Sequence, residues 1–573
     1  MSTRTPLGLP VATEELRARF DAEVAPPDPA APIQLEVGIQ VRDGVELAAD
    51  VYLPAAAQLP APAVVFATPY DKSTPILNAL EAQLYQENGY VAVVYDVRGR
   101  GKSEGEWRAF VNDAHDGHDV VEWVADQPWC DGAVGVSGLS YGGWATWATA
   151  SQRPPHLRAI VSTSPAGRWM QEIPATNGCF QLYFAYWVAA VRRRLLGLGA
   201  LDLDQLVNTL PVDDIKRLID PTGRTWDDLM EHDTLDDHWQ ALRWDGRYDQ
   251  IDLPVLHVTG WHDHEDLLGA FHHYEQMVDQ SPAADRQWLL VGPWSHVMCR
   301  WPGSEYGGVS YAAEAAVDMH AVHLRFFDRF LRGERNGLDD EPRVRLFDAG
   351  ADRWAAPAAW RAATTERRLF LGGDGSLADD AAAAGPATAR DYRYDPLDPV
   401  TTAFDLGAAV WEPPVDMAPT EGRDDVLCFT SAPLERPLTV HGWPRLALRA
   451  TTDGDDTDWH VKLTDCPPDG RSLRVAGGCL RASHGASLER PQPVPPGEAV
   501  DYDVELTPIH HTFAAGHRIR LTITSSDFPW FARNLNRFGP IAHQDDPRTA
   551  RNSIHCGAGG SVLSLPISER IER

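Results

Sequence analysis

Ser140 sits in the run Gly138-Leu139-Ser140-Tyr141-Gly142, a spacing suited to nucleophilic catalysis. Glycines two residues to either side permit a sharp turn that lifts the hydroxyl clear of the backbone. The apolar run 133–136 precedes the motif, and the helix-forming Gly143-Trp144-Ala145-Thr146-Trp147-Ala148 follows it. The serine therefore falls at a strand-to-helix turn, where the first helical N–H groups are free to face an oxyanion. A serine hydroxyl needs a base to take its proton and a carboxylate to orient that base. Two later runs supply them. Strand-like 255–258 ends in Thr259-Gly260-Trp261-His262-Asp263, and strand-like 288–291 ends in Gly292-Pro293-Trp294-Ser295-His296. Asp263 and His296 thus follow Ser140 in the order serine, acid, histidine, each on a loop after a later strand. A histidine base must be neutral to work, so kcat/KM is expected to rise from acid pH to a plateau near neutrality or just above.

These side chains need a scaffold. The runs 63–67, 91–95 and 133–136 are Val-rich and do not alternate, which marks strands covered on both faces. Helical stretches at 75–87 and 114–125 lie between them, giving βαβ organisation. Upstream, 35–41 alternates, Asp43-Gly44 signals a hairpin, and 45–53 returns. The Pro- and Ala-rich first thirty residues are expected to wrap the surface. Between 167 and 250 the texture becomes helical (180–196 and 203–218), with no strand-like run between them. An amphipathic helix at 319–331 closes this part. Beyond 365, short alternating strands such as 367–371, 446–450, 459–464 and 519–524 predict a β-sandwich or jelly roll, with an Ala-rich linker at 381–389. The fold class is α/β: an α/β-hydrolase domain split over 1–166 and 251–360, a helical cap inserted at 167–250, and a jelly roll over 361–573. The active site is expected where cap and jelly roll close over the C-terminal edge of the parallel strands.

The chain resembles the cocaine esterase and X-prolyl dipeptidyl-peptidase family of serine hydrolases, which includes the α-amino-acid ester hydrolases. The resemblance rests on Thr68-Pro69-Tyr70-Asp71-Lys72, Asp96-Val97-Arg98-Gly99, the Ser140 elbow and the two runs ending in Asp263 and His296. It continues through Phe326-Phe327-Asp328-Arg329-Phe330-Leu331-Arg332-Gly333, then Ala514-Ala515-Gly516-His517-Arg518-Ile519-Arg520-Leu521 and Arg533-Asn534-Leu535-Asn536, and so spans about residues 36 to 570. It implies that Tyr70 donates to the oxyanion beside the backbone N–H of Tyr141. It departs at His262, where the family carries Tyr or Trp; His262 and Trp294 are expected in the pocket wall. The run Asp263-His264-Glu265-Asp266 resembles the α-amino-acid ester hydrolases, in which an acid, one residue and Glu-Asp supply most of a carboxylate cluster for the substrate's ammonium. Glu172 is the candidate third carboxylate. The other reading of Glu265 and Asp266, as acids capping the next helix, stays open.

Composition narrows the partners. Asp plus Glu number 82 against 51 Lys plus Arg, a net charge of -31. Such a surface repels phosphate backbones and anionic lipid, so neither nucleic acid nor membrane is expected. Seven scattered Cys with no C-x-x-C pair, no leader and no long apolar run suit a cytoplasmic enzyme. The expected partners are a small-molecule ester or amide and further copies of the chain, a homodimer or higher homo-oligomer; no cofactor and no metal is expected. Gly101-Lys102-Ser103 lacks the first glycine of a P-loop. Asp113, His115, His118 and Asp119 are read as a solvated helix start rather than metal ligands, and residues 453–458 as a solvated turn rather than a calcium loop. Besides an esterase, the residues leave open an X-Pro dipeptidyl-peptidase, an acyltransferase, a metal-dependent hydrolase and a non-catalytic jelly-roll binding protein.

Overall fold

The computed structural model describes residues 4–12, 33–74, 79–193, 202–220, 222–306, 309–362, 364–403 and 416–568. Ten strands form the first sheet: β1 Ile33–Gln40, β2 Glu46–Tyr52, β3 Ala61–Thr68, β4 Val91–Asp96, β5 Cys130–Leu139, β6 Leu157–Thr163, β7 Val255–His262, β8 Gln287–Ser295, β9 Val344–Asp348 and β10 Arg353–Ala355. They lie in the order β1-β2-β4-β3-β5-β6-β7-β8-β9-β10. From β4 to β9 every pairing is parallel; β1, β2 and β10 are antiparallel at the edges. The apolar runs fail to alternate because both faces are covered. Val65 and Val93 pack into the layer holding α2 (Asp113–Ala125) and α3 (Tyr141–Ser151). Val64, Phe66 and Val94 pack into the opposite layer, with Tyr85 of α1 (Leu80–Glu87) and Phe326 and Phe327 of the helix Met319–Phe330. Of the helix expected at 75–87, residues 75–78 lie outside the described residues, as do 1–3 and 13–32 of the N-terminal stretch.

The chain leaves the sheet after β6 and returns at β7. In between lie α4 (Leu182–Arg192), the short helices Leu203–Asn208, Lys216–Ile219, Arg224–Glu231 and Asp237–Ala241, and one element the sequence did not disclose. That element is a two-residue hairpin, Ala175–Thr176 against Cys179–Phe180. Pro211 interrupts the helix expected over 203–218, because proline carries no N–H for the ladder. Thirteen strands from Thr364–Leu371 to Val562–Ser568 pair in a second connected sheet around their own apolar cluster. The Ala-rich 381–389 is no linker: it is a turn that enters the strand Thr388–Tyr394 inside this domain. No helix among the described residues is long and apolar enough to cross a membrane.

Two polar runs expected in solvent are buried in part: Asp113 is buried while His115 stays exposed, and Asp456 and Asp458 are buried while Asp453 stays exposed. Asp113 in α2 accepts from the Tyr141 hydroxyl, and burial raises its carboxyl to about 7. Its neighbours Asp116 and Asp119 are engaged by Arg98 and Arg42. In the run 453–458, Asp456 and Asp458 are buried; Asp456 accepts from Ser483, and Asp458 receives Arg481 through both oxygens at 2.9 and 3.1 Å. The same Arg481 backbone N–H donates to Asn177 in the cap hairpin, so this pair lies at the seam between the cap and the C-terminal domain. Arg481→Met should leave the buried Asp458 with Asn534 as its remaining side-chain donor. The expected cost is about 3–5 kcal/mol, read as an earlier urea transition of the C-terminal domain. An unmoved midpoint would mean that the charge is compensated elsewhere.

Candidate active site

Ser140 caps the N-terminus of α3 with φ 61° and ψ −127°, a strained angle for a residue bearing a Cβ. The strain holds because β5 and α3 meet tightly: a Cβ on Gly138 would lie 2.2 Å from the Gly142 carbonyl oxygen. Ser140 N–H is spent on Thr163 of β6, whereas Tyr141 is the first helical residue, whose N–H has no partner within the helix. The Tyr141 side chain turns away from the nucleophile to Asp113. Tyr70, on the loop after β3, lies with its phenol within hydrogen-bonding reach of both the Ser140 hydroxyl and the Trp187 indole. Its ring meets Trp187 edge-on at 6.4 Å. Burial, then the nearby Glu265 charge, raises the Tyr70 phenol, which keeps its proton available for donation.

Asp263 and His296 end β7 and β8 at the same edge of the sheet as Ser140. His296 Nδ1 lies 3.1 Å from Asp263 Oδ1. That oxygen also accepts the backbone N–H groups of Glu265 (3.0 Å) and Asp266 (3.1 Å), which starts the helix α5, Leu267–Gln280. Asp266 occupies the N-cap position without making a side-chain cap bond. The oxygen that accepts a helical N–H belongs to Glu172, bonded to Gly269 in the first turn, so neither Glu265 nor Asp266 is needed for that duty. Glu265 Oε2 lies 3.3 Å from His296 Nε2, and its other oxygen accepts from the Tyr183 hydroxyl of α4. Oxygens of Glu265 and Asp266 and a nitrogen of His296 all lie within 4.8 Å of one another. Glu172 joins them from the cap. It receives backbone N–H groups of Gly167 (2.9 Å), Arg168 (3.1 Å) and Gly269 (2.5 Å), which tie the base of the cap to α5.

Three buried carboxyls, Glu172, Asp263 and Asp266, and the half-buried Glu265 crowd together. Burial raises Asp266 well above its ordinary range, with Glu172 and its other acidic neighbours adding to the shift, and it raises Glu172 to about 7 and Glu265 upward. Burial would raise Asp263 as well, but the His296 charge outweighs it and holds Asp263 low. For His296, burial favours the neutral ring, but Glu265, Asp263 and Asp266 together push it up to about 10. That direction predicts a rise of activity at higher pH than an ordinary histidine would give.

Two residues expected at the pocket are not there. Trp294 is fully buried in the apolar layer against Trp354 and donates its indole N–H to Ala315. Alternation along β8 puts its ring on the same face as Trp288 and Leu290. His262 ends β7 facing Tyr311, whose hydroxyl lies 3.2 Å from its Nε2, and burial lowers its ring to about 3. Its neighbour His264 lines the cleft instead. Sequence reasoning also missed Tyr183 and Trp530. Trp530, from the C-terminal domain, stacks on Tyr183 at 4.2 Å and 11°. The aromatic richness of 180–196 was the available signal for Tyr183; nothing local marked Trp530. The cleft lined by Glu172, Asp263, His264, Glu265 and Trp530 encloses about 800 Å³ of non-protein space, part of it open to solvent, between cap, sheet edge and C-terminal domain.

A ten-stranded, largely parallel sheet with a strained serine elbow and an Asp–His pair at one edge is the arrangement of a serine hydrolase of the α/β-hydrolase fold. Comparison with known proteins narrows the class. The X-Pro dipeptidyl-peptidase (S15 family) pattern matches residues 43–298, and the pattern of the X-Pro dipeptidyl-peptidase C-terminal non-catalytic domain matches 336–562. Cocaine esterase of Rhodococcus sp. (strain MB1 Bresler) is 32% identical over 549 residues, 88% of this chain and 93% of its own length. A solved α-amino acid ester hydrolase superposes with a TM-score of 0.86 at 28% identity, covering 95% of this chain and 98% of that one. An aminopeptidase from a marine-sediment Thaumarchaeota archaeon shares the fold, with a TM-score of 0.84 at 24% identity over 96% and 98%. The chain belongs to the S15 family of serine hydrolases, with cocaine esterase among its relatives.

The charge arrangement around His296 generates a pH test. A protonated His296 cannot accept the serine proton, so kcat/KM for an amine-free ester should climb through the alkaline range. Glu265→Gln removes one of the charges that hold the imidazolium, so the rising limb should move to lower pH. A limb already near pH 6.5 in the wild type, the ordinary histidine value, or one unmoved by the substitution, would show that Glu265 does not govern this proton.

Proposed function

We propose that the protein hydrolyses carboxylic esters through an acyl-enzyme and prefers acyl groups with an α-ammonium. Ser140 Oγ bonds to the acyl carbon while its proton passes to His296 Nε2 and the carbonyl electron pair moves onto oxygen. Tyr70 O–H and Tyr141 N–H donate to that oxyanion. Asp263 holds the imidazolium. As the carbonyl re-forms, the leaving alcohol or amine departs with the proton from His296. Water then repeats the sequence on the acyl-serine and releases the acid. The observation that carries the preference is the Glu172 oxygen, which accepts the Gly269 N–H of α5 and so leaves the Glu265 and Asp266 carboxyls free of capping duty beside the histidine. The similarity to an α-amino acid ester hydrolase supports the same reading.

The cation that suits this cluster is an ammonium rather than a metal ion. Glu265, Asp266 and His296 are spaced to ligate a metal, but such an ion would occupy the Nε2 lone pair that the base needs. The S15 match favours, as a second reading, a peptidase acting on the same residues with the ammonium of a peptide N-terminus in the cluster; Xaa-Pro anilides cleaved faster than any ester would establish it. All seven cysteines are free, as suits the cytoplasm.

Ser140→Ala should lower kcat by roughly 10³-fold or more. Retention of more than about a tenth of turnover would refute the acyl-serine route. The double change Glu265→Gln, Asp266→Asn separates ammonium binding from a merely structural role. For phenylglycine methyl ester it should lower kcat/KM relative to the phenylacetate counterpart by about ten- to hundredfold, the worth of one charge-assisted hydrogen bond. Equal effects on the two substrates would leave an esterase without amine selectivity.

A further inference from the structure

The cleft that starts at Asp263 and Glu265 continues past His264 to two strands of the C-terminal domain, Asp458–Cys466 and Leu473–Arg481, which pair antiparallel. Three cations line it: Arg168, Lys462 and Arg474. Two have partners. Arg168 lies 2.8 Å from Glu505, and buried Lys462 lies 3.0 Å from Asp527. Arg474 has none: among the described residues it makes no ion pair, no side-chain hydrogen bond and no ring contact. Its guanidinium lies back along its own strand over Gly477, where a Cβ would meet Nη2 at 2.7 Å, so the missing side chain leaves it room. The nearest charges do not neutralise it. Asp527 attracts it but is held by Lys462, itself a cation felt, like Arg474, at His264. The guanidinium is half-buried, so its fork of five N–H donors is open to a ligand in the cleft rather than closed by the protein.

We infer that Arg474 is a subsite for a carboxylate carried by the substrate. The fork of a guanidinium matches the two oxygens of a carboxylate and holds them in one orientation. Near the catalytic pair the cleft is acidic, with Glu172, Asp263 and Glu265; at Lys462 and Arg474, with Asp527 as the shared counter-ion, it carries an excess of positive charge. One molecule bearing both an ammonium and a carboxylate matches both ends, which makes the preferred substrate an amino-acid-like zwitterion. The ammonium half of this match rests on the proposed preference for α-amino esters; the carboxylate half does not.

The carboxylate can sit on the leaving group or on the acyl side chain, and two isosteric pairs distinguish these sources. The first is the glycolic acid ester of phenylglycine against its glycolamide ester; the second is the α-methyl ester of glutamate against that of glutamine. Within one pair the wild type should prefer the acid by tenfold or more in kcat/KM. Arg474→Gln should erase that preference, and Arg474→Lys, which keeps charge but loses the fork, should retain part of it. Each enzyme serves as its own control, since the ratio of acid to amide is unaffected by a change in the fraction folded. Absence of an acid preference in both pairs overturns the inference, as does a ratio that survives in Arg474→Gln. The ammonium reading fails separately, through equal rates for phenylglycine and phenylacetate esters.

Discussion

One carboxylate oxygen, Asp263 Oδ1, receives three donors: the His296 imidazole and the backbone N–H groups of Glu265 and Asp266. Each bond constrains a different part of the site. The first sets the rotation of the catalytic ring, and the other two start α5. Because both amides come from the residues that carry the next two carboxylates, the same contact decides where those carboxylates can go. A carboxylate accepting several N–H bonds stays ionised even when buried, and Asp263 keeps its charge in spite of complete burial through these bonds and His296. The triad and the acidic cluster are thus consequences of a single turn at the end of β7.

That turn creates an electrostatic problem in the empty site. Glu172, Asp263, Glu265 and Asp266 converge on one imidazole, and at short range each like-charge pair is costly in a medium of low dielectric. The resting protein answers by sharing protons: burial raises the carboxyls of Glu172, Glu265 and Asp266, and whatever carboxylate charge remains beside Asp263 raises His296. An imidazolium is the wrong state for the first step of acyl transfer. A substrate ammonium in the cluster would supply the cation that His296 now provides, and the ring would then lose its proton more easily. On this view the ammonium both positions the ester and brings the base to its working form, so amine-bearing and amine-free substrates differ in kcat as well as in KM.

What the chain reveals before folding follows the range of the forces involved. Ser140, Asp263 and His296 were legible because each ends an apolar strand, and the glycines around them mark local turn geometry. The choice between capping and clustering for Glu265 and Asp266 was not legible, since it turns on which oxygen reaches the helix N-terminus. Trp294 stands two residues from His296 and yet belongs to the core, because β8 runs on to Ser295 and alternation keeps it on the face of Trp288 and Leu290. Asp113, Asp456 and Asp458 look solvated in sequence, but their burial depends on Tyr141, Ser483 and Arg481 reaching them from elsewhere in the chain. Tyr183 and Trp530 lie farther apart still, at the tip of the cap and late in the C-terminal domain.

This last pair explains why the strand-rich domain is part of the catalytic unit rather than an appendage. Trp530 fixes the ring of Tyr183 by stacking, and the Tyr183 hydroxyl holds one oxygen of Glu265 while the other faces His296. A chain of contacts therefore runs from the C-terminal domain, through the cap, to the nitrogen that must receive the serine proton. A second link runs the same way, since the cap hairpin receives Arg481 N–H and Asn177 donates to Cys479, both on the strand that carries Arg474. Holding a carboxylate near the working nitrogen of the base, without letting it seize that nitrogen, needs restraint from a side other than the hydrolase sheet. The sheet can present the triad, but the position of Glu265 relative to His296 is set from across the cleft, by residues that the sheet does not contain.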